Sequence, residues 1–523
     1  MFIFRNYTIE RFFPKDYRFS GYDDISFVPE DEEGYVWFYQ APVGYDAEAL
    51  SDEISADSRK FMMVLEAVDP NKTVIALTMT PFYSLPFTSD DFQLKEAVAK
   101  YNEGLIAASF SHRNLKVIDV EEFTGRYSVD ELMDWKFFFL SQMGMNPRLS
   151  AAFQQWFAKK LDEIALKRKK CLVLDLDNTL WGGILGEDGP DGIKIGGDYP
   201  GNAFLDFQKG LLELGKNGVI LAICSKNNEQ DVHELWEKNP YMVLRKEHFA
   251  ACRINWQDKA TNLKELAEEL NLGLDSFVFV DDNPTERELI RQMLPMVSVP
   301  EFPEQPYGLP VFFKRLVEEE FKVYSVTEED KAKTAQYRAN AQRKASQRTF
   351  ADFDDFLRSL EMRLSIIEAN EYNIPRIAQM TQKTNQFNLT TKRYTDSEIK
   401  AMVAKGWKVY CLSVADRFGD SGITGCIMVN GNTIDTFLLS CRILGKGIET
   451  AFIKKVFQLL REQGVSELHA SYIPTAKNNQ VKDFYDRVGM VCVTGNETGE
   501  KNYQVSLTDL DLTIRDYYQI EVK

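Results

Sequence analysis

The sequence predicts an α/β protein built from three α/β regions, and three observations indicate this class. Short apolar runs alternate with helix-like stretches, which is the pattern of strands and helices in α/β folds. The length of 523 residues exceeds what one hydrophobic core usually serves, so we expect roughly three domains. The 44% of hydrophobic and 12% of aromatic residues are typical of a well-packed globular chain.

The first region, residues 1–165, is expected to form a small layer around a mostly parallel sheet. Strand candidates alternate here with helical patterns, and this order favours parallel pairing. The strand candidates lie at 2–4, 36–39, 74–79 and 115–120, and the helix candidates lie near 55–67, 91–109 and 152–169.

The middle region, residues 166–315, is expected to form a doubly wound parallel sheet without a large cap. Residues 171–175 are a continuous apolar run that ends in an acid, as expected for a buried parallel strand. Two similar runs lie at 219–224 and 277–280, and helix candidates at 202–216 and 258–271 separate the three. The glycine-dense stretch 180–196 is predicted to be a hairpin that folds back over the first strand end. In folds of this kind, sites lie at the carboxyl ends of the strands.

A proline-rich edge near 300–310 precedes a predicted helical connector at 316–358, which contains a helix rich in Ala, Lys and Arg at 328–348. The third α/β region, 359–523, follows this connector. Its strand candidates lie at 408–414, 423–429, 433–439 and 467–472, and its helix candidates lie at 446–463 and 477–488.

The composition excludes several classes of function. A net charge of −17 argues against wholesale nucleic-acid binding, and four histidines leave little room for a multi-histidine metal site or triad. The seven cysteines form no Cys-x-x-Cys pair and their number is odd, so neither a disulfide framework nor structural zinc is expected. There is no apolar run of membrane-spanning length, and the first residues become polar too soon for a signal peptide. These features together predict a cytoplasmic protein.

Polar side chains follow two of the predicted strands of the middle region. Asp175 and Asp177, spaced by one residue, can both face a cleft if the chain turns after its strand. One carboxylate would then act as nucleophile or metal ligand, and the other as general acid–base. Ser225 ends the second strand, where its hydroxyl and neighbouring backbone N–H groups suit phosphate oxygens.

Two further features of the middle region also suit phosphate chemistry. Lys259 opens a helix and can neutralise phosphate charge. The third strand ends in Asp281 and Asp282, and carboxylate oxygens suit Mg²⁺. A single acidic residue at a strand end is more often a helix cap or loop residue. A phosphate site is predicted here because the four features occur together in this order.

This order resembles the haloacid dehalogenase-like phosphohydrolase superfamily, whose motifs match at 175–179, 225, 259 and 281–282. The resemblance implies that Asp175 is a nucleophile that becomes an aspartyl phosphate and that Asp177 is the general acid–base. The phosphate-binding residues would be Ser225, Lys259, Asn178 and Thr179. The Mg²⁺ site would consist of Asp175, the backbone carbonyl of Asp177, Asp281 and, in support, Asp282.

Longer stretches are similar to the FkbH-like group. These stretches lie at 180–196, 224–227, 281–287, 381–391 and 416–422. The resemblance covers roughly 160–523. It implies removal of phosphate from a phosphorylated three-carbon donor, 1,3-bisphosphoglycerate, and transfer of the glyceryl group to an acyl carrier protein. Other members of the group supply hydroxyacyl units for polyketides or surface polysaccharides.

Acyl transfer would be served by a thiol relay, because thiolates are strong acyl acceptors. Cys224 is the candidate because it precedes Ser225. The alternative is that Cys224 is a buried strand residue that points to the opposite face from Ser225.

In the third region, the loop with Arg442, Gly445 and Gly447 precedes a predicted helix and can offer backbone N–H groups to a pyrophosphate. Together with Asn479 and Tyr485, this loop resembles GNAT-type acyltransferases. The resemblance implies that these residues hold CoA or the phosphopantetheine arm of a carrier protein, with Tyr485 as the acid typical of the family. The alternative is a fold that is kept only for carrier docking.

The strand and helix order of the first region resembles an SGNH-hydrolase-like layer, but its catalytic residues are missing. No Gly-Asp-Ser follows the first strand, where Asn6 stands instead, and His112 has no Asp three residues before it. The first region is therefore predicted to be a non-catalytic binding or docking domain.

The leading hypothesis is an Mg²⁺-dependent phosphohydrolase coupled to acyl transfer onto a carrier protein. The alternatives are a plain phosphatase on a small or sugar phosphate with a separate acyltransferase activity, and a non-catalytic scaffold. Because carrier proteins are usually acidic, a basic dock on this acidic chain is needed. Its candidates are Lys331, Lys333, Arg338, Arg343, Lys344 and Arg348.

Overall fold

The computed structural model describes residues 1–81, 92–326, 337, 339, 352–440, 443–496 and 498–523. The chain divides into two compact units, Met1–Lys167 and Arg168–Lys523. In the described parts of both units, no helix is long and apolar enough to cross a membrane. The predicted fold class, a mixed α/β protein with parallel sheets and helices, is confirmed.

The first unit contains a five-stranded parallel sheet in the order β2-β1-β3-β4-β5. The strands are β1 (Phe2–Arg5), β2 (Arg18–Tyr22), β3 (Gly34–Phe38), β4 (Thr73–Leu77) and β5 (Leu115–Ile118). The helices are α1 (Ala47–Ala67), α2 (Gln93–Ser111), α3 (Glu121–Thr124), α4 (Val129–Leu132), α5 (Trp135–Ser141) and α6 (Ser150–Ile164). Strand β2 was not predicted from the sequence, because this edge strand buries only Ser20 and carries no apolar run.

The part of the second unit from Cys171 to Leu316, which we call the parallel half, contains a four-stranded parallel sheet in the order β8-β7-β6-β9. Its strands are β6 (Cys171–Leu174), β7 (Ile220–Ser225), β8 (Ala251–Ile254) and β9 (Phe277–Val280). Its helices are α7 (Leu185–Gly192), α8 (Gly201–Lys216), α9 (Glu229–Lys238), α10 (Lys259–Leu270), α11 (Pro284–Met293) and α12 (Leu309–Leu316).

Helices cover both faces of this sheet, which explains the continuous apolar runs of its central strands. Leu172 and Leu174 of β6 pack into one core cluster with residues of α8 and α12. Cys171 and Val173 point the other way and pack with residues of α10 and α11. The alternation places α8 and α10 on opposite faces of the sheet.

The glycine-dense stretch after β6 is not the simple hairpin that its composition predicted. Gly182 and Lys194 form an antiparallel bridge, but a helical segment, α7, lies between them. Gly189 interrupts this segment with a left-handed φ of 69°. Glycine and proline disfavour helix interiors, so their density concealed α7 in the sequence.

The part of the second unit from Phe353 to Val522, which we call the mixed half, contains a nine-stranded sheet of parallel and antiparallel strands. Their order is β16-β17-β15-β14-β13-β12-β10-β18, with β11 paired to β14. The strands are β10 (Arg363–Glu368), β11 (Phe387–Asn388), β12 (Lys408–Asp416), β13 (Gly419–Asn430), β14 (Thr433–Leu439), β15 (Glu467–Tyr472), β16 (Val491–Gly495), β17 (Lys501–Ser506) and β18 (Gln519–Val522). The helices are α13 (Phe353–Ser359), α14 (Ile374–Lys383), α15 (Asp396–Ala404), α16 (Ile448–Glu462) and α17 (Phe484–Arg487).

The helix expected over 477–488 is wrong as a single element, because a short 3₁₀ turn and α17 replace it. The buried Asn478 explains the break. Its side chain accepts a hydrogen bond from the Thr475 backbone at 2.7 Å and donates to the carbonyls of Asn388 and Ile473 at 2.9 Å. Such bonds fix the local backbone in a non-helical path.

The connector helix predicted at 328–348 lies outside the described residues, except for the helical positions 337 and 339. The six basic residues proposed as a carrier dock all lie outside them as well.

Candidate functional site

The carboxyl ends of three adjacent parallel strands bring the predicted residues together. Asp175 follows β6, which lies between β7 and β9, and its backbone N–H donates to Val280 O of β9 at 3.0 Å. Ser225 ends β7, and Asp281 follows β9. These residues, which were predicted to form one site, therefore lie at one edge of the sheet, where the carboxyl ends of the strands are.

Three carboxylates form a compact cluster at this edge. One oxygen from each of Asp175, Asp281 and Asp282 lies within 4.8 Å of the others. Burial raises the pKa of both Asp281 and Asp282 to about 6, and the charge of Asp175 adds to the shift. The three carboxylate charges repel one another. Their oxygen atoms are suitable ligands for a hard cation such as Mg²⁺, whose positive charge would offset this repulsion.

Lys259 supplies the positive charge inside this cluster. Its ammonium Nζ lies 2.6 Å from Asp281 Oδ2 and 3.1 Å from Asp175 Oδ1, and the residue is only 3% exposed. Asp258 caps α10 and so fixes where Lys259 begins the helix. Burial acts to lower the pKa of Lys259, but the charges of Asp175 and Asp281 outweigh burial and raise it. Lys259 therefore remains a cation at neutral pH.

The carboxylate of Asp177 lies outside the three-carboxylate cluster and is held by three donors. Its Oδ1 accepts hydrogen bonds from Trp181 Nε1 at 2.9 Å and from the Leu185 backbone at 3.0 Å. Its Oδ2 accepts from Asn227 Nδ2 at 2.8 Å. Burial raises the pKa of Asp177, while these hydrogen bonds act to lower it. The group is thus fixed in orientation and easier to protonate than an ordinary aspartate, as a general acid–base requires.

Asn178 and Thr179 use their side chains to fasten the loops around the cluster. Asn178 adopts a left-handed φ of 52°, and its Oδ1 accepts from the Gly183 backbone at 2.8 Å. Thr179 is fully buried, and its Oγ1 accepts from the Asp282 backbone at 3.2 Å. Their side chains therefore stabilise the loops of the site. At these two positions the backbone, and not the side chain, would contact a phosphate.

Three supporting residues, namely Asn227, Trp181 and Arg287, had no role in the sequence-based site. Arg287 Nη1 donates to the carbonyl of Asp281 at 2.9 Å and to that of Asp282 at 2.7 Å, which fixes the acidic pair. The only sequence signal was their position in or after the strand-end motifs, because spacing does not reveal which side chains turn back to the site.

The structure favours the alternative that Cys224 is a buried strand residue rather than a thiol relay. Its side chain belongs to the cluster on the α10 face of the sheet, and the residue is fully buried. Burial raises the pKa of the thiol well above its ordinary value, which disfavours the thiolate that a relay needs. The Sγ atom lies 3.9 Å from the Lys259 carbonyl oxygen, inside the protein.

In the mixed half, the structure describes four of the five predicted arm-binding residues. Gly445 and Gly447 lie in one loop with left-handed φ values of 79° and 73°, and Gly447 immediately precedes α16. Asn479 is exposed, whereas Tyr485 is buried, and its hydroxyl has no hydrogen-bond partner among the described residues. Burial raises the pKa of Tyr485. Arg442 lies outside the described residues.

A doubly wound parallel sheet with carboxylates and a buried lysine at its carboxyl edge is one of the folds that hold phosphate esters and metal ions. A search of solved structures agrees with this class. The chain is similar to the crystal structure of the N-terminal part of the protein BF1531 from Bacteroides fragilis, containing a phosphatase domain complexed with Mg. The identity is 26% and the TM-score 0.51, over 62% of this chain and 94% of that one.

Shorter matches come from acetyltransferase structures. A putative acetyltransferase of the GNAT family from Desulfovibrio desulfuricans is 13% identical, with a TM-score of 0.22 over 28% of this chain and 99% of that one. The putative acetyltransferase yncA from Salmonella typhimurium, solved with acetyl-CoA, is 14% identical, with a TM-score of 0.22 over 28% and 96%. Similarity at this level carries no functional conclusion. No protein-family model and no curated protein matches the sequence.

Proposed function

We propose that this protein is an Mg²⁺-dependent phosphohydrolase that forms an aspartyl phosphate at Asp175. The observation that carries the proposal is the cluster of Asp175, Asp281 and Asp282, in which the Lys259 ammonium pairs with Asp175 and Asp281. The likeness to a phosphatase domain complexed with Mg supports it. An arrangement that crowds three carboxylates costs free energy in an apo protein, and such a cost persists at sites that serve a ligand.

In the proposed reaction, the Asp175 carboxylate attacks phosphorus, and the bond from phosphorus to the leaving oxygen breaks. Asp177 donates a proton to that oxygen, and then takes a proton from the water that attacks the aspartyl phosphate. Inorganic phosphate leaves and Asp175 is restored. A bound Mg²⁺ would offset the negative charge of the phosphate and the cluster. Lys259 supplies a second, permanent positive charge beside the transferring group.

We further propose that the reaction is coupled to acyl transfer. The donor would be a phosphorylated three-carbon acid such as 1,3-bisphosphoglycerate, and Asp175 would attack the phosphorus of its phosphate ester at C3, which leaves the acyl phosphate at C1 intact. The acceptor would be the phosphopantetheine thiol of an acyl carrier protein, which would lose its proton and attack the C1 carbonyl carbon with the C1 phosphate as leaving group. This coupling is supported by the sequence resemblance over 160–523 and by the loop of Gly445 and Gly447 before α16. Because Cys224 is buried, direct transfer to the carrier thiol is preferred over a relay through the enzyme.

A second candidate is a plain phosphatase on a small or sugar phosphate, with a separate acyltransferase activity in the mixed half. The carboxylate cluster favours it in one respect, since all its residues come from the parallel half. A non-catalytic scaffold would not require an intact cluster of this kind. We place the activity in the cytoplasm, and the six free cysteines among the described residues agree with a reducing compartment.

Two assays test the proposal. Phosphate release should require Mg²⁺ and should be abolished in Asp175→Asn, whereas Asp191→Asn, an exposed aspartate at the end of α7, should behave like the parent. Intact-mass spectrometry with 1,3-bisphosphoglycerate should show a glyceryl adduct on an added carrier protein. Phosphate release without any adduct would favour the plain phosphatase. Full release in Asp175→Asn would contradict the nucleophile.

A further inference from the structure

The first turn of α11 contacts the loops on both sides of the strand that leads to the proposed nucleophile. That strand, β6, lies between β7 and β9 in the sheet. The side chain of Arg287 reaches the loop after β9, where it donates to the carbonyls of Asp281 and Asp282. The preceding residue, Glu286, reaches the loop after β7, where its Oε1 accepts a hydrogen bond from the Lys226 ammonium at 2.6 Å. Two neighbouring side chains of one helix therefore connect the loops that flank the nucleophile.

The contact with Lys226 bears on Asn227 more than on Ser225. Ser225 belongs to β7, which pairs with β8, and its carbonyl accepts from the Asn255 backbone at 3.1 Å, so the sheet itself fixes this residue. Asn227 follows Lys226 beyond the end of the strand. Its Nδ2 donates to Asp177 Oδ2 at 2.8 Å. Holding Lys226 therefore restricts where the Asn227 side chain can lie.

The stability of the fold does not explain why a glutamate stands at position 286. The side chain of Glu286 is 13% exposed, and its Oε2 is buried without a hydrogen-bond partner among the described residues. A buried acceptor that gains no hydrogen bond costs free energy. The Lys226 side chain is 40% exposed, and ion pairs in contact with solvent contribute little to stability. A costly carboxylate beside a reaction site is better explained by positioning.

We propose that Glu286 is a positioning residue of the phosphohydrolase site. Through Lys226 it holds Asn227, and Asn227 in turn holds the carboxylate of Asp177. This role rests on the proposed function, in which Asp177 is the general acid–base. Burial raises the pKa of Asp177, and the hydrogen bond from Asn227 acts against this shift. The orientation of Asn227 thus affects both the direction and the proton affinity of the Asp177 carboxylate.

Glu286→Met tests this role, since methionine keeps an unbranched side chain but does not offer Lys226 a carboxylate. Because the substitution removes a buried oxygen that has no described partner, thermal unfolding should show a stability equal to or above that of the parent. With phenyl phosphate and Mg²⁺, kcat should nevertheless fall roughly 10-fold while KM changes less than about 2-fold. The matched control Glu288→Met removes an exposed carboxylate from the same helix and should behave like the parent.

A double variant tests whether Glu286 acts through Asn227. Glu286→Met/Asn227→Leu should have the kcat of Asn227→Leu alone, because Asn227→Leu already removes the group that Glu286→Met misplaces. A kcat that is lowered by the product of the two single effects would overturn the proposal. An unchanged kcat in Glu286→Met would overturn it as well.

Crystal structures of the parent and of Glu286→Met give a result that does not depend on turnover. In Glu286→Met the distance between Asn227 Nδ2 and Asp177 Oδ2 should exceed the limit of a hydrogen bond, about 3.5 Å. A contact kept at 2.8 Å, as in the parent, would overturn the proposal. If the parent releases no phosphate, the proposed phosphohydrolase function fails, and the two structures still decide whether Glu286 positions Asn227.

Discussion

Lys259→Met is expected to destabilise the protein in a manner that depends on pH. The substitution keeps an unbranched apolar stem but removes the ammonium that lies 2.6 Å from Asp281 and 3.1 Å from Asp175. Removing one partner of a buried ion pair typically costs about 3–5 kcal/mol, because the remaining charge is left uncompensated. At pH 8 and without Mg²⁺, we therefore expect the free energy of unfolding to fall by about 3 kcal/mol.

At pH 5 the loss should be smaller, about 1 kcal/mol, because Asp281 and Asp282 can take up protons below their pKa of about 6. The sign follows from the direction of the shift. A carboxyl whose pKa is raised on folding stabilises the fold fully below its ordinary pKa, and this contribution is lost as the pH rises through the folded value. The buried cluster is therefore least costly in acid and most costly above neutrality.

The assay is urea unfolding followed by circular dichroism at pH 5 and pH 8, in the presence of a chelator. Lys264→Met on the exposed side of α10 is the matched control and should have little effect at either pH. An equal loss of stability at both pH values would refute the reasoning, because the penalty would then not come from ionised carboxylates. Added Mg²⁺ should restore part of the loss at pH 8.

Three further outcomes follow from single contacts. Asn227→Leu removes the 2.8 Å hydrogen bond to Asp177, so kcat for phosphate release should fall by roughly 10- to 100-fold with little change in KM; an equal rise in KM would indicate a binding role instead. Gly447→Ala should lower the unfolding free energy by about 1–2 kcal/mol, because φ is 73° and a Cβ would lie 2.8 Å from Tyr518 Oη, whereas Gly197→Ala has open space and should be neutral by thermal unfolding. Tyr485→Phe removes a buried hydroxyl without a described partner, so stability should hold or rise, and a loss of acyl transfer at unchanged stability would assign the hydroxyl to chemistry.

The elements that the sequence predicted well are those with a strong apolar pattern. Strands β6, β7 and β9 are buried on both faces, and this produces continuous apolar runs. The edge strands β2 and β8 carry polar residues and were not predicted, because an edge needs no such run. Tertiary pairing, which a single sequence does not display, decides whether such short segments become strands.

The residues of the candidate site likewise divide into those that the sequence predicted and those that it did not. The order of Asp175, Lys259 and Asp281 along the chain predicted their meeting, because parallel strands end at one edge of the sheet. The contacts of Asn227 and Arg287 were missed, since they depend on how loops fold back after their strands.

The aspartyl phosphate is tested most directly by locating the phosphoryl group on the enzyme during turnover. The protein would be mixed with substrate and Mg²⁺, quenched in acid, digested and analysed by tandem mass spectrometry. We expect one phosphoryl group on Asp175. With a substrate whose leaving group needs no proton from Asp177, this group should accumulate further in Asp177→Asn, because only the hydrolysis of the aspartyl phosphate then slows. A phosphoryl group on another residue, or phosphate release that persists in Asp175→Asn, would contradict it.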